Sequence, residues 1–136
     1  MIKNNFKLFF FIEKLNELNL DYVKKIGAIL ILRNPEKLNL LDLKKFNKRC
    51  ISKKITLFIQ NSVKILFLLK TNNFYISAYN KSQFKQLRKI NRKVKIIGSA
   101  HNIPEIREKI SQGCEYIVLS RIFKTSSKFK KGFLGT

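Results

Sequence analysis

Six short apolar runs, separated by segments of helical pattern, constrain this chain more than any other feature. The runs fall at residues 6–12, 28–32, 55–59, 74–77, 94–97 and 115–119. Helical patterns occupy 15–25, 40–50, 63–69, 82–90 and 104–112. Leu15, Leu18, Val23 and Ile26 give the first helix an apolar side, and Gly27 closes it. The run at 28–32 is apolar at every position, as in a strand buried on both faces. Strict alternation of strand and helix implies right-handed βαβ units and a parallel sheet. Repeated units of roughly twenty residues fit the (β/α)8 TIM barrel, an α/β fold that eight units would close. Here about the first six are expected. An open sheet of that kind leaves two edges and an unfilled interior. The chain is therefore expected to lack a C-terminal segment, or to close its barrel with a partner as an oligomer.

Composition narrows the class. The 136 residues suffice for one modest domain, taken as 1–136, and 45% apolar content provides for a core. The formal net charge of +21 raises the question of a polyanionic partner. Of the 29 basic residues, however, 23 are Lys and 6 are Arg, scattered along the chain without a basic block or arginine-rich arm. That distribution reads as solvated lysine surface and argues against nucleic acid. Cys50 and Cys114 form no C-x-x-C pair and no zinc spacing, and two isolated small buried thiols fit a reducing cytoplasm. The apolar stretch at 9–12 is too short to span a bilayer, and no cleavage-site pattern follows it.

The chemistry concentrates in the last 41 residues, IIGSAHNIPEIREKISQGCEYIVLSRIFKTSSKFKKGFLGT. A strand ends in Gly98-Ser99 with His101 close behind, a helix closes at Gly113, and a second strand opens into a loop bearing Thr125, Ser127 and Lys128. Two hydroxyls and an ammonium past a strand end can hold a phosphate, the hydroxyls by hydrogen bonds and the Lys as a point charge.

This stretch resembles the thiamine phosphate synthase/TenI family, which reads IIG-x-S-x-H-[ST], E-A, G-A-D-Y, G-P-[IV]-F-x-T-x-[ST]-K and L-G in order. The matching positions are Ile96, Ile97, Gly98, Ser99, His101, Glu105, Gly113, Tyr116, Ile122, Phe123, Thr125, Ser127, Lys128, Leu134 and Gly135, with one residue fewer between Gly98 and His101. Arg121 stands where the family usually has Pro. The resemblance covers nearly all of this chain and about two thirds of the family's fold, a TIM barrel of about 200 residues or more. It implies a transferase that joins a pyrimidine pyrophosphate to a thiazole phosphate at the C-terminal ends of the strands. Pyrophosphate departs, a pyrimidine cation develops and the thiazole nitrogen captures it. Basic residues and Mg2+ are the expected means of neutralising the leaving group.

Residue by residue, the resemblance places Arg33 at the pyrophosphate in a Q-[LYF]-R-x-K motif whose Gln and Lys positions hold Ile31 and Pro35, with Lys37 two residues on. Gln60 and Asn61 stand where the family has Asn-Asp, and Asn80 where it has its second acidic metal ligand. Both Mg2+ carboxylates are thus amides, which bring oxygen without charge, and hard divalent cations prefer carboxylates. Ser99 matches a pyrophosphate contact, Thr125 and Ser127 the thiazole-phosphate pair, and Lys128 a pyrophosphate-binding lysine. In the TenI branch, a thiazole tautomerase, the residue matching His101 moves the proton, a task suited to the pKa of imidazole. Three functions are carried forward: the synthase, a metal-independent tautomerase using His101, and a non-catalytic phosphate- or polyanion-binding remnant.

Overall fold

The polar residues that bound each apolar run decide where strands and helices begin. The computed structural model describes residues 7–16 and 18–119, and these fall into two compact units divided after Tyr75.

In the first unit β1 (Leu8–Ile12), β2 (Ala28–Leu32), β3 (Leu57–Gln60) and β4 (Asn73–Ile76, its last residue beyond the division) run parallel in chain order. Between them lie α1 (Leu20–Ile26), α2 (Leu40–Ser52) and α3 (Val63–Leu68), plus a 3-10 turn at Pro35–Lys37. The register is continuous: Leu8 to Ile12 face Ala28 to Leu32, and Leu30 to Leu32 face Leu57 to Ile59. Leu30, Ile31, Leu32, Phe58 and Ile59 are all buried, as expected for strands covered on both faces. Leu20, Val23, Leu43, Phe46 and Cys50 pack from the helices. β1 is equally apolar but lies at the margin, where Leu8 and Phe11 remain exposed.

The second unit holds α4 (Leu87–Ile90), β5 (Lys95–Ala100), α5 (Ile103–Ser111) and β6 (Tyr116–Leu119). Ile97 to Ala100 pair in parallel with Tyr116 to Leu119. Ile76, Val94, Ile96, Ile97 and Ala100 form its apolar core.

Two helices are shorter than the sequence pattern implies by more than one residue. α1 begins at Leu20, not at 15, because the Asn19 side chain accepts from the Tyr22 amide and caps the helix there. It ends as expected at Gly27, which adopts a left-handed φ of 69°. α4 is a single turn rather than 82–90. Its start is diverted by side chains: the Ser82 amide donates to Asn80 Oδ1, and the Ser82 carbonyl accepts from Gln112 Nε2. β5 runs three residues further than expected, so Ser99 lies in the strand, facing Val118. No helix among the described residues is long and apolar enough to cross a membrane.

Both cysteines are free. Burial pushes the Cys50 thiol from 9.0 up to about 11, against a smaller opposing pull from Arg49. Between those two values the folded thiol keeps its proton while the unfolded one loses it. The stability this contributes is complete below pH 9 and is lost as pH rises to 11, a loss of about 2–3 kcal/mol. Denaturant melts at pH 8 and pH 11 should show that loss in the parent in excess of the loss in Cys50→Ala. Identical pH slopes in the two proteins would exclude the assignment.

Candidate functional site

The polar groups at the C-terminal ends of β1, β2 and β3 are organised by two asparagines in left-handed backbone. Asn34 has φ 49° and Asn61 φ 62°, conformations that Asn tolerates better than most residues. Each turns the chain sharply out of its strand. Asn34 Nδ2 donates to Glu13 Oε1 at 3.0 Å, tying the loop after β1 to the loop after β2. Ser62 Oγ donates to Glu36 Oε2 at 2.8 Å, tying the loop after β2 to the loop after β3. Ser62 also caps α3 by accepting from the Ile65 amide.

Arg33 leaves β2 with its amide donating to the Ile12 carbonyl at 2.8 Å, and its exposed guanidinium lies 5.9 Å from the centroid of the Phe11 ring. Phe11 in turn meets Tyr75 edge-on at 5.6 Å. Arg33 lines a hollow of about 350 Å3 with Phe11, Ile12, Glu13, Lys14 and Leu18. Next to it, Gln60 and Asn61 line a smaller hollow of about 190 Å3 with Asn34, Pro35, Glu36, Lys37 and Ser62. Gln60 is 4% exposed. Arg33 thus lines one hollow and Gln60 and Asn61 the other, and the second adds Glu36, which sequence reasoning missed. Pro35 is buried in the turn, so neither it nor the buried Ile31 serves the hollow with a polar group, whereas Lys37 lies on the hollow's wall.

In the second unit, Ser99 is partly exposed near the end of β5 and His101 follows the strand. His101 is exposed. Its amide donates to Glu105 Oε1 at 2.7 Å, and its Nδ1 lies 3.2 Å from the same oxygen. The four-residue spacing from His101 to Glu105 was the available signal for this pair. Asn102 caps α5 by accepting from the Glu105 amide, which holds the carboxylate in place.

Asn80 lies in the loop after β4, and what holds that loop was not foreseen. Lys109, on α5, is 0% exposed. Its Nζ donates to the Asn80 carbonyl at 2.8 Å and to Gln112 Oε1 at 2.7 Å. Gln112 Nε2 donates to the Asn80 carbonyl at 2.7 Å and to the Ser82 carbonyl at 2.6 Å. Burial pushes the Lys109 ammonium below the ordinary lysine range, an effect that Cys114, Glu108 and Glu105 oppose.

The donors do not fit a Mg2+ site of the expected kind. Asn61 and Asn80 offer amide oxygens, and Asn80 Oδ1 already accepts from the Ser82 amide at 2.9 Å. Among the described residues no three His, Cys, Asp or Glu side chains cluster as metal ligands. Thr125, Ser127 and Lys128, with Arg121, lie outside the described residues.

With this geometry in place, comparison with known proteins gives a consistent result. Residues 13–136 match the family described as thiamine monophosphate synthase. No curated protein matches the chain. Among solved structures, a thiamine phosphate pyrophosphorylase from Pyrococcus furiosus superposes with a TM-score of 0.61 at 12% identity, over 86% of this chain and 61% of that one. At that identity the likeness shows the fold: an α/β architecture of parallel strands and helices of the TIM-barrel type. This chain spans about 61% of the length of that relative.

Proposed function

We propose that this chain, which belongs to the thiamine monophosphate synthase family, acts in thiamine biosynthesis as a transferase that condenses a hydroxymethylpyrimidine pyrophosphate with a thiazole phosphate and releases pyrophosphate. In this reading, residues 1–136 form one domain of that family. The observation that carries it is Arg33, presented just past the end of β2 with its guanidinium near the Phe11 ring and lining a hollow with Glu13 and Lys14.

The chemistry asked of these residues is electrostatic. As the pyrophosphate bond breaks, negative charge grows on the departing oxygens, and a preorganised guanidinium stabilises it in a bidentate fashion. Gln60 and Asn61 supply amide donors to the phosphates, and Ser99 supplies a hydroxyl. By family resemblance Thr125 and Ser127 hold the thiazole phosphate and Lys128 adds a second cation at the pyrophosphate. The two Asn positions do not suit a magnesium ion, so no step is assigned to a metal.

A second reading is favoured by one specific observation, the placement of His101 Nδ1 beside the Glu105 carboxylate. A carboxylate that fixes the imidazole tautomer leaves Nε2 to move a proton, as a thiazole tautomerase requires.

Arg33→Ala in the full chain should lower kcat/KM for the pyrophosphate substrate about 10- to 100-fold, the loss of a charge-assisted hydrogen bond, with Arg33→Lys recovering only part. Pyrophosphate release and thiamine phosphate formation are the readouts. Unchanged kinetics would remove Arg33 from the site. Proton exchange on the thiazole that is abolished by His101→Ala, without pyrophosphate release, would favour the tautomerase.

A further inference from the structure

The loop after β4 already contains a cation, and that cation belongs to the chain. Lys109 comes from the last turn of α5, where a lysine ordinarily points to water, yet it is fully buried. Its stem lies where Gly98 leaves room: a Cβ at residue 98 would stand 2.8 Å from Lys109 Cδ. Its ammonium ends on the Asn80 carbonyl and on Gln112, which relays the contact to Asn80 and Ser82. Two loop carbonyls are thereby gathered around one buried positive group.

We propose that Lys109 does at this loop what a divalent cation does in an acid-lined site: it is a positioning residue that fixes Asn80 from inside, and its charge makes the loop refuse a divalent ion. Two independent features support this. Asn80 supplies no charge to attract such an ion, and its side-chain oxygen is engaged by Ser82. Lys81, the next residue on the loop, adds a second positive charge, while Glu105 and Glu108 lie on α5 with Lys109 itself. A hard dication needs carboxylates and a negative field, and this loop offers neither. The inference rests on the reading above only in treating the Asn80 loop as part of a phosphate-handling site.

The test is a Mn2+ titration of the full isotope-labelled chain, read by selective broadening of the Asn80, Lys81 and Ser82 amide signals, with amide hydrogen exchange alongside. Parent protein and Asn80→Asp should show no selective broadening up to about 1 mM, the weak end of biological divalent sites. Asn80→Asp combined with Lys109→Met should acquire it. Lys109→Met alone should speed exchange of the Ser82 amide at least tenfold. Selective broadening in the parent below that concentration, failure of the double variant to bind, or unchanged exchange in Lys109→Met would each overturn the proposal. If Lys109→Met does not fold, the parent titration and Gln112→Leu, in which Ser82 exchange should also rise, decide it. None of these readouts involves product formation, so failure of the synthase reading and failure of this inference are separately visible.

Discussion

Phe58→Ala should lower the free energy of unfolding by about 3–5 kcal/mol, the cost of emptying a packed aromatic site. Phe58 is 1% exposed in the middle of β3. It pairs in register with Ile31 on β2, itself fully buried. β-Structure around it is fixed by ladder hydrogen bonds, so the site collapses little when the ring is removed, and the cavity term adds to the lost transfer energy. Phe67 provides the contrast. It lies on α3, nine residues on, and is 45% exposed. Phe67→Ala should cost well under about 1 kcal/mol. Urea melts of both variants measure the difference, and equal losses would contradict the assignment of β3 to the core.

Gly98→Ala is expected to destabilise by about 3 kcal/mol, the upper end for overpacking a closed site. A methyl at this position would lie 2.7 Å from Cys114 Sγ, 2.8 Å from Lys109 Cδ and 3.3 Å from the Ile76 carbonyl. None of these can retreat cheaply. Cys114 begins the turn into β6, and its amide is bonded to the Lys109 carbonyl. Lys109 is held at its far end by two hydrogen bonds. The variant should therefore lose stability and loosen the Asn80 loop together. Gly27→Ala is the control. Space is open there, and only the left-handed φ of 69° opposes the new side chain, so about 1 kcal/mol is expected. A Gly98→Ala protein as stable as the Gly27→Ala protein would refute the close-packing account.

Strand positions were readable because short, mostly apolar runs between helical patterns have few alternatives in a parallel sheet. Residues 28–32 matched β2 at both ends, and every other expected strand overlaps an observed one. Helix starts were harder. Asn19 and Asn80 both divert the backbone with their own side chains, an outcome that periodicity does not register. Along α5 and its C-cap, burial does not follow polarity: Ile103 and Ile110 are exposed, whereas Lys109 and Gln112 are buried. The sheet side of that helix meets Gly98, whose missing side chain admits a long thin stem and rewards a polar end that can reach the loop carbonyls. The strand-end places of Arg33 and Gln60 were legible from where the apolar runs stop, while a role for them came only from the family resemblance. Glu36 was not legible, because its partner Ser62 is chosen by loop shape.

The left-handed turn at Asn61 has a consequence for how this site can change. Its φ of 62° is a conformation that asparagine and aspartate share, while bulky or β-branched residues are penalised there. Exchange of amide for carboxylate at this point leaves the backbone path from β3 into α3 undisturbed. The backbone at this point therefore constrains the outline of the residue more than its charge. As far as the backbone is concerned, a lineage can gain or shed an acid here in one step.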